Sequence, residues 1–422
     1  MKLIKNAQVI SGDTLVKKDI LFDENSIIEI ADDIKNDSAE IVDAKGLVAI
    51  PGLIDVHVHL REPGNEHKET IKTGTMAAAA GGFTTVMAMP NVKPFPDNME
   101  AMKAYQAKID EDAFVNVIPY ACISLQEKGS QVVDMKAFCD NGYTAFSDDG
   151  VGVQSDEVMN EAMELSSKLG AKIVAHTEDM NYRKAGACIN EGAKSEELGV
   201  IGIPNECEYK QLERDLKLVE KTGAHYHCCH MSCKESVELL KQYKDKGCDV
   251  TGEVAVHHLL LNDMDVKGPN WKMNPPLRSE EDRLALVEAI KTGDVDMIAN
   301  DHAPHTEEEK AKGLVEGPFG IVALETAFAL LYTKLVKTGE LSFKRLIELM
   351  SLKPAEKFGF DKKGKLEAGY NSDIVLVDID NEFEIDKEKF LSMGKNTPFD
   401  GWKCYGKVKQ TFVNGKQIYK ED

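Results

Sequence analysis

The sequence predicts an α/β protein: a (β/α)8 TIM-type barrel with a small discontinuous β domain formed by both chain ends. Three observations lead there. After about residue 50, eight short β-rich runs alternate with longer amphipathic stretches. The two ends read instead as short strands separated by turns. Histidines and carboxylates recur where five of the eight runs end, which is the functional rim of such a barrel.

The first run is Leu53–His59, within "PGLIDVHVHLREPG". A strand repeats every two residues, so Asp55, His57 and His59 are expected on one face, with Ile54, Val56 and Val58 on the other. The remaining runs are Thr84–Met89, Val115–Cys122, Thr144–Ser147, Lys172–His176, His225–His230, Asp249–Val254 and Asp296–Asn300. Helical patterns lie between them. In "SDEVMNEAMELSSKLG", Val158, Ala162, Leu165 and Leu169 are spaced by three and four, acidic residues open the first turn, and Gly170 follows the end. An open doubly wound sheet is the structural alternative, but no Gly-rich phosphate fingerprint follows the first strand.

The ends complete the division. "LIKNAQVI", "DILFDENSIIEI" and "GLVAI" at the N-terminus resemble strands, as do "SDIVLVDID" and "KQTFVNGKQIY" near the C-terminus, the latter with an Asn414-Gly415 hairpin signal. Neither end alone has enough apolar residues for a stable sheet. The expected organisation is therefore 1–50 and 361–422 as the two parts of one β domain, flanking a metal-dependent barrel over 51–360.

Composition narrows the function classes. A net charge of −21 and a pI near 5.0 argue against nucleic acid and anionic membranes as partners, and require a local basic residue wherever an anionic substrate is held. "MKLIKNAQVI" is interrupted by Lys5 and shows no secretion signal, and no apolar run has membrane-spanning length. The nine cysteines are odd in number and scattered, as expected of reduced thiols in the cytoplasm.

The run ends carry the chemistry. His57 and His59 close the first strand, Asp148 and Asp149 the fourth, His176 the fifth and His230 the sixth, and Asp301 follows the eighth. Six nitrogen or oxygen ligands from five strands at one depth point to a metal centre, and imidazole with carboxylate suits zinc. A bridging carboxylate can hold two cations close together. The pattern alone does not separate Asp148 from Asp149. His225 and His227 sit deeper and read as core or supporting groups, Cys228 and Cys229 as buried thiols, and His257-His258 as structural. Arg61, just beyond His59, offers a planar fork suited to a carboxylate. Glu62 and Asp55 are assigned supporting roles.

Together "DVHVHLREPG", "AMPN", "FSDDGVGVQ", "AHTED", "CHMSCKES", "KMNPPLR", "NDHAPH" and "GPFGI" resemble type I dihydroorotases of the amidohydrolase superfamily, in the bacterial subset with an aspartate bridge. The resemblance runs across the barrel and both ends. It implies an enzyme with two Zn2+ per subunit that interconverts (S)-dihydroorotate and N-carbamoyl-L-aspartate in pyrimidine synthesis. By that similarity His57 and His59 hold the first metal with Asp301, His176 and His230 hold the second, and the bridge is Asp149 rather than Asp148. The site then makes Asp301 the catalytic proton carrier between the attacking water and the ring nitrogen. Asn91, Asn274 and His305 match positions that hold the carboxylate and ring, and the Phe319-Gly320 turn offers backbone groups to the ring amide.

Two departures stand out. "YTAFSDDG" has no lysine where many relatives carry a carboxylated one, and Val256 replaces the usual proline before the paired histidines. The rival readings are an allantoinase or hydantoinase and, in a different class, a catalytically inactive scaffold. The missing bridge lysine counts against the usual hydantoinase, and retention of all six ligands counts against the scaffold. A homodimer and an association with aspartate transcarbamoylase are left open.

Overall fold

Eight parallel strands form at the expected runs: β1 (Leu53–Val58), β2 (Phe83–Ala88), β3 (Asn116–Pro119), β4 (Ala145–Phe146), β5 (Lys172–Ala175), β6 (His225–Cys228), β7 (Val250–Ala255) and β8 (Met297–Ala299). The structure is a computed structural model and describes residues 1–12 and 14–421. The strands pair as β1-β2-β3 and β4-β5-β6-β7-β8. Bridges Ala121 to Phe146 and Val58 to His302 close the two seams into a barrel. The strands β3 and β4 are shorter than the runs that announced them. Past β3 the chain stays paired to β4 only through single bonds, the Ala121 amide donating to the Ala145 carbonyl at 3.1 Å and the Ala121 carbonyl accepting from the Ser147 amide at 2.8 Å. The amides of Ile123 and Ser124 also donate to the Asp148 carboxylate at 2.8 and 3.1 Å.

A helix follows every strand: α1 (Ile71–Ala80), α2 (Met99–Asp112), α3 (Met135–Cys139), α4 (Asp156–Leu169), α5 (Glu206–Thr222), α6 (Lys234–Asp245), α7 (Glu280–Thr292) and α8 (Ala327–Leu331). The α4 boundaries follow their local signals. Ser155 caps the first turn, Asp156 and Glu157 complement the dipole, and Gly170 ends the helix in the left-handed region at φ 66°. Its buried face is rotated from the expected stripe. Met159, Ala162, Met163 and Ser166 are buried, whereas Val158, Leu165 and Leu169 are only half-buried along one margin. Two flexible methionines fill the groove against the barrel better than the branched residues beside them.

The expected alternation along β1 is also broken. Ile54 and Val56 pack in one cluster with Met87, Tyr120 and Cys229, whereas Val58 belongs to the larger core between strands and helices. The register of β1 against β2 shifts twice, between Leu53 and Ile54 and between Asp55 and Val58. Each shift changes which residues face inward.

Both chain ends build one eight-stranded sheet. Its order is Lys416–Lys420, Lys407–Val413, Ile374–Asp378, Val48–Pro51, Lys2–Ser11, Thr14–Phe22 and Ile27–Ala31, with Glu40–Asp43 pairing Lys2–Ser11 off that path. The ends meet where Val48–Pro51 runs antiparallel to Ile374–Asp378. Ile4, Ile20 and Phe22 from one end pack with Ile374, Leu376 and Phe412 from the other, the two phenylalanines edge to face at 5.4 Å. The last hairpin turns on Asn414 and Gly415, both at positive φ (48° and 73°). Between the second and third of these strands in the order, a long excursion leaves the sheet. Its residues 390–396 pack back on the barrel, where Asn396 reaches the loops after β8.

All nine cysteines are free. Among the described residues no helix is long and apolar enough to cross a membrane.

Candidate metal centre and cavity

The strands bring His57, His59, Asp149, His176, His230 and Asp301 together at their C-terminal ends, all buried. His59 Nε2 lies 3.0 Å from Asp301 Oδ1 and 3.4 Å from Asp149 Oδ2. His57 Nε2 is 3.4 Å from Asp149 Oδ1 and 3.6 Å from Asp301 Oδ1. On the other side, His176 Nδ1 and His230 Nε2 face each other at 3.0 Å, with Asp149 Oδ1 3.7 and 3.6 Å away. Asp149 thus stands between two groups, His57 with His59 and Asp301, and His176 with His230. His230 and Asp301 hold strained positive φ values of 31° and 48°.

The adjacent carboxylate is spent elsewhere. Asp148 accepts from the Ile123 and Ser124 amides and from the Ser124 hydroxyl. Asp149 Oδ1 and His57 Nε2 are buried without any hydrogen-bond partner, and nearly every such atom in a folded protein is satisfied. Three ligand atoms from His57, His59 and Asp301, and three from His57, Asp149 and His230, lie close enough to hold a cation. A divalent ion satisfies those atoms, so this donor set of imidazoles and carboxylates fits one.

Both central carboxylates are held ionised. Burial alone would raise the Asp149 carboxyl pKa, but the charge on His57 and the close approach of the His230 and His57 imidazoles hold it well below the usual carboxylate range. Asp301 is held low likewise, by the His59 hydrogen bond and the charges of His57, His59 and His230 acting against burial.

A deeper layer orients the imidazoles. Glu253 on β7 takes the His57 Nδ1 proton at 2.7 Å, the His227 Nε2 proton at 3.1 Å and the His230 amide at 3.2 Å. Against burial, His57 and His227 hold its pKa down to about 2. Asp55 accepts from the His57 amide at 3.0 Å and from Asn300 Nδ2 at 2.7 Å. His227 therefore has the supporting place expected of it. His225 pairs instead with Asp249 at the far end of β6. His257 and His258 are buried, with burial pushing both pKa values down, and His258 Nε2 donates to the Pro275 carbonyl at 3.0 Å. Cys228 and Cys229 are buried thiols whose pKa burial raises.

Above the centre lies a cavity of about 380 Å3. It is lined by Arg61, Asn91, Asn274, His305, Phe319 and Gly320 and by all the convergent ligand residues except His57. Arg61 donates from Nε to the Pro304 carbonyl at 3.2 Å and stands 3.2 Å from His305 Nε2. Burial lowers its pKa only to about 10, so it stays cationic at neutral pH. Asn91 accepts the His59 Nδ1 proton at 2.9 Å, and Asn274 donates to Glu178 at 3.0 Å. The Phe319-Gly320 backbone is already engaged: the Phe319 carbonyl accepts from His305 at 2.8 Å, and the Gly320 amide donates to the Lys272 carbonyl at 2.9 Å. Any contact of these particular groups with a ring amide must compete with those bonds.

Sequence reasoning missed four residues here. Glu253 could have been found, as a carboxylate inside the apolar run "VTGEVA". Glu178, two residues past His176, lies 3.3 Å from its Nε2. Arg183 lines the cavity, pairs with Glu178 and stacks 4.9 Å from the Phe319 ring, but nothing in its irregular segment marks it. Asn396 comes from the far end of the chain.

A model of the Dihydro-orotase-like family matches residues 46–236. Proteins named dihydroorotase from Bacillus cereus and Bacillus anthracis are 48% identical over 423 residues, covering 100% of this chain and 98% of each relative. Among solved structures, the L-hydantoinase (dihydropyrimidinase) of Arthrobacter aurescens superposes with a TM-score of 0.89 at 27% identity, covering 99% of this chain and 96% of that one. The dihydropyrimidinase of Brevibacillus agri gives 0.86 at 24% identity over 99% and 95%, a likeness of fold alone.

Proposed function

The chain belongs to the dihydroorotase family of the amidohydrolase superfamily, with the activity of a cyclic amidohydrolase, and from that premise we propose how its residues perform the reaction. The substrate pair is (S)-dihydroorotate and N-carbamoyl-L-aspartate, and the metals are two zinc ions. His57, His59 and Asp301 would hold one, His176 and His230 the other, with Asp149 shared. The observation that carries the reading is the unpartnered pair at the centre of the six groups, His57 Nε2 and Asp149 Oδ1. Bound there, the metal would supply Lewis acidity, polarising a carbonyl and lowering the pKa of water.

The chain's own residues do the rest. Arg61 meets the substrate carboxylate with a fixed cation, a local exception in a protein of net charge −21. Asn274 and His305 flank the ring, and Asn91 turns His59 toward Asp301 and Asp149. In hydrolysis Asp301 accepts the proton of the attacking water and delivers it to the departing ring nitrogen. Cyclisation reverses both transfers.

The hydantoinase alternative is supported less well, because solved hydantoinases share 22–27% identity with this chain and the dihydroorotases 48%. The discriminating experiment offers the zinc-loaded protein dihydroorotate, allantoin and hydantoin and follows ring opening. Opening of hydantoin or allantoin in preference to dihydroorotate would overturn the proposal. Cytoplasmic residence goes with it, whereas a homodimer and contact with aspartate transcarbamoylase are questions for experiment. Sedimentation of the chain alone and with that enzyme tests the two assemblies.

Two outcomes are expected of single substitutions. Arg61→Met should remove a charge-assisted contact worth about 1.5–3 kcal/mol, lowering kcat/KM for dihydroorotate about tenfold or more with zinc content unchanged. Unchanged kinetics in a zinc-replete sample would take Arg61 out of the substrate site. Glu253→Gln should weaken zinc affinity about 10- to 100-fold, read by chelator competition, since it loosens the group that orients His57. Wild-type affinity in that assay would limit Glu253 to packing.

A further inference from the structure

The segment 313–320 carries Phe319 and Gly320, yet beyond one helical turn, Gly313–Glu316, it has no regular structure to hold it. Side chains from elsewhere hold it instead. Lys272 Nζ donates to the carbonyls of Val315 at 2.9 Å and Gly317 at 2.6 Å, and stands 4.3 Å from the Phe319 ring centre. Lys310 Nζ donates to Pro318 at 3.0 Å, and to Pro269 and Lys272 at 2.9 and 3.3 Å. From the C-terminal excursion, Asn396 Nδ2 donates to the carbonyls of Gly320 and Ala303, each at 3.0 Å. Its Oδ1 accepts the His305 amide at 3.1 Å.

All three side chains are buried, with Lys272, Lys310 and Asn396 at 3–4% exposure. Burying an ammonium is costly unless it is fully hydrogen-bonded. Among the described residues neither lysine has a carboxylate at ion-pair distance, and both spend their protons on loop carbonyls. That expense is hard to explain as packing alone, because an apolar side chain would fill the same volume without it. None of the three touches the six convergent ligand residues.

We propose that Lys310, Lys272 and Asn396 form a buried brace that sets the position of His305 and the Phe319-Gly320 turn, and so determines how tightly substrate is held. They are positioning residues, acting through groups that line the cavity. The identity of the substrate rests on the dihydroorotase reading, whereas the brace rests on the hydrogen bonds alone.

The test uses Lys310→Met and Asn396→Ala in zinc-loaded full-length protein, with kinetics in both directions and hydrogen exchange followed on peptides spanning 303–320. Each variant is expected to raise KM about tenfold for both dihydroorotate and N-carbamoyl-L-aspartate, with kcat within about threefold and zinc content unchanged. Exchange across 303–320 should accelerate about tenfold while the barrel strands keep their protection. A merely structural role would lower protection throughout and leave KM alone. KM within about twofold of wild type, or unaltered exchange, overturns the brace. Should Lys310→Met fail to fold, Asn396→Ala decides by the same criteria. If the wild-type protein does not act on dihydroorotate, the reading of the reaction falls, and the exchange data alone decide the brace.

Discussion

Asp301→Asn should lower turnover in both directions by about 10²–10⁴-fold while both metals stay bound, because the amide keeps the size of the side chain but cannot carry a proton. The structure puts Asp301 where it can serve two roles: one oxygen lies 3.0 Å from His59 Nε2, and the residue also lines the cavity where the ring must sit. Against burial, the His59 hydrogen bond and the surrounding histidine charges hold its carboxyl well below the usual carboxylate range, so at neutral pH it is ionised. Ring opening turns a monoanion into a dianion and releases a proton. Hydrolysis is therefore favoured as pH rises and cyclisation as it falls, a dependence that initial rates in each direction will read. Loss of zinc would imitate loss of the proton carrier, so metal must be measured in the same sample. An Asp301→Asn protein that kept both metals and stayed within about tenfold of wild type would reduce Asp301 to a ligand.

Removing the metals should abolish activity, by about 10³-fold or more, because charge developing on the ring carbonyl loses several kcal/mol of stabilisation. Zinc alone should restore it. The residue between the two histidine groups is Asp149, an aspartate that needs no carboxylation, so recovery of the chelated protein is expected to be the same with and without bicarbonate. Recovery that required bicarbonate would mean that a modified lysine completes the site, and the assignment of Asp149 would fail.

Much of this site was legible before any coordinates because its parts lie at strand ends, and strand ends are marked by neighbours in the chain. The run from Leu53 to His59 announces itself by β-rich composition, and α4 by Ser155, its acidic first turn and Gly170. Even there, local pattern had limits. The buried stripe of α4 falls on Met159 and Met163, and β1 breaks its own alternation, because both are settled by what packs against them. Asp148 and Asp149 are neighbours with identical side chains. The Ile123 and Ser124 amides capture one of them, leaving the other turned toward the histidines.

By itself the sequence determined the eight-stranded alternation, the pairing of both ends into one sheet and the residue types that converge on the rim. These depend on periodicity, capping and composition, which act over a few residues and can be read along the chain. Only the tertiary structure decided which carboxylate faces the centre, that Glu253 orients His57, and that Asn396 reaches back to His305 and Gly320. Those contacts join residues 76 to 196 positions apart. No neighbour in sequence records them, because their energy is gained only once the barrel has closed and excluded water from the groups that must pair.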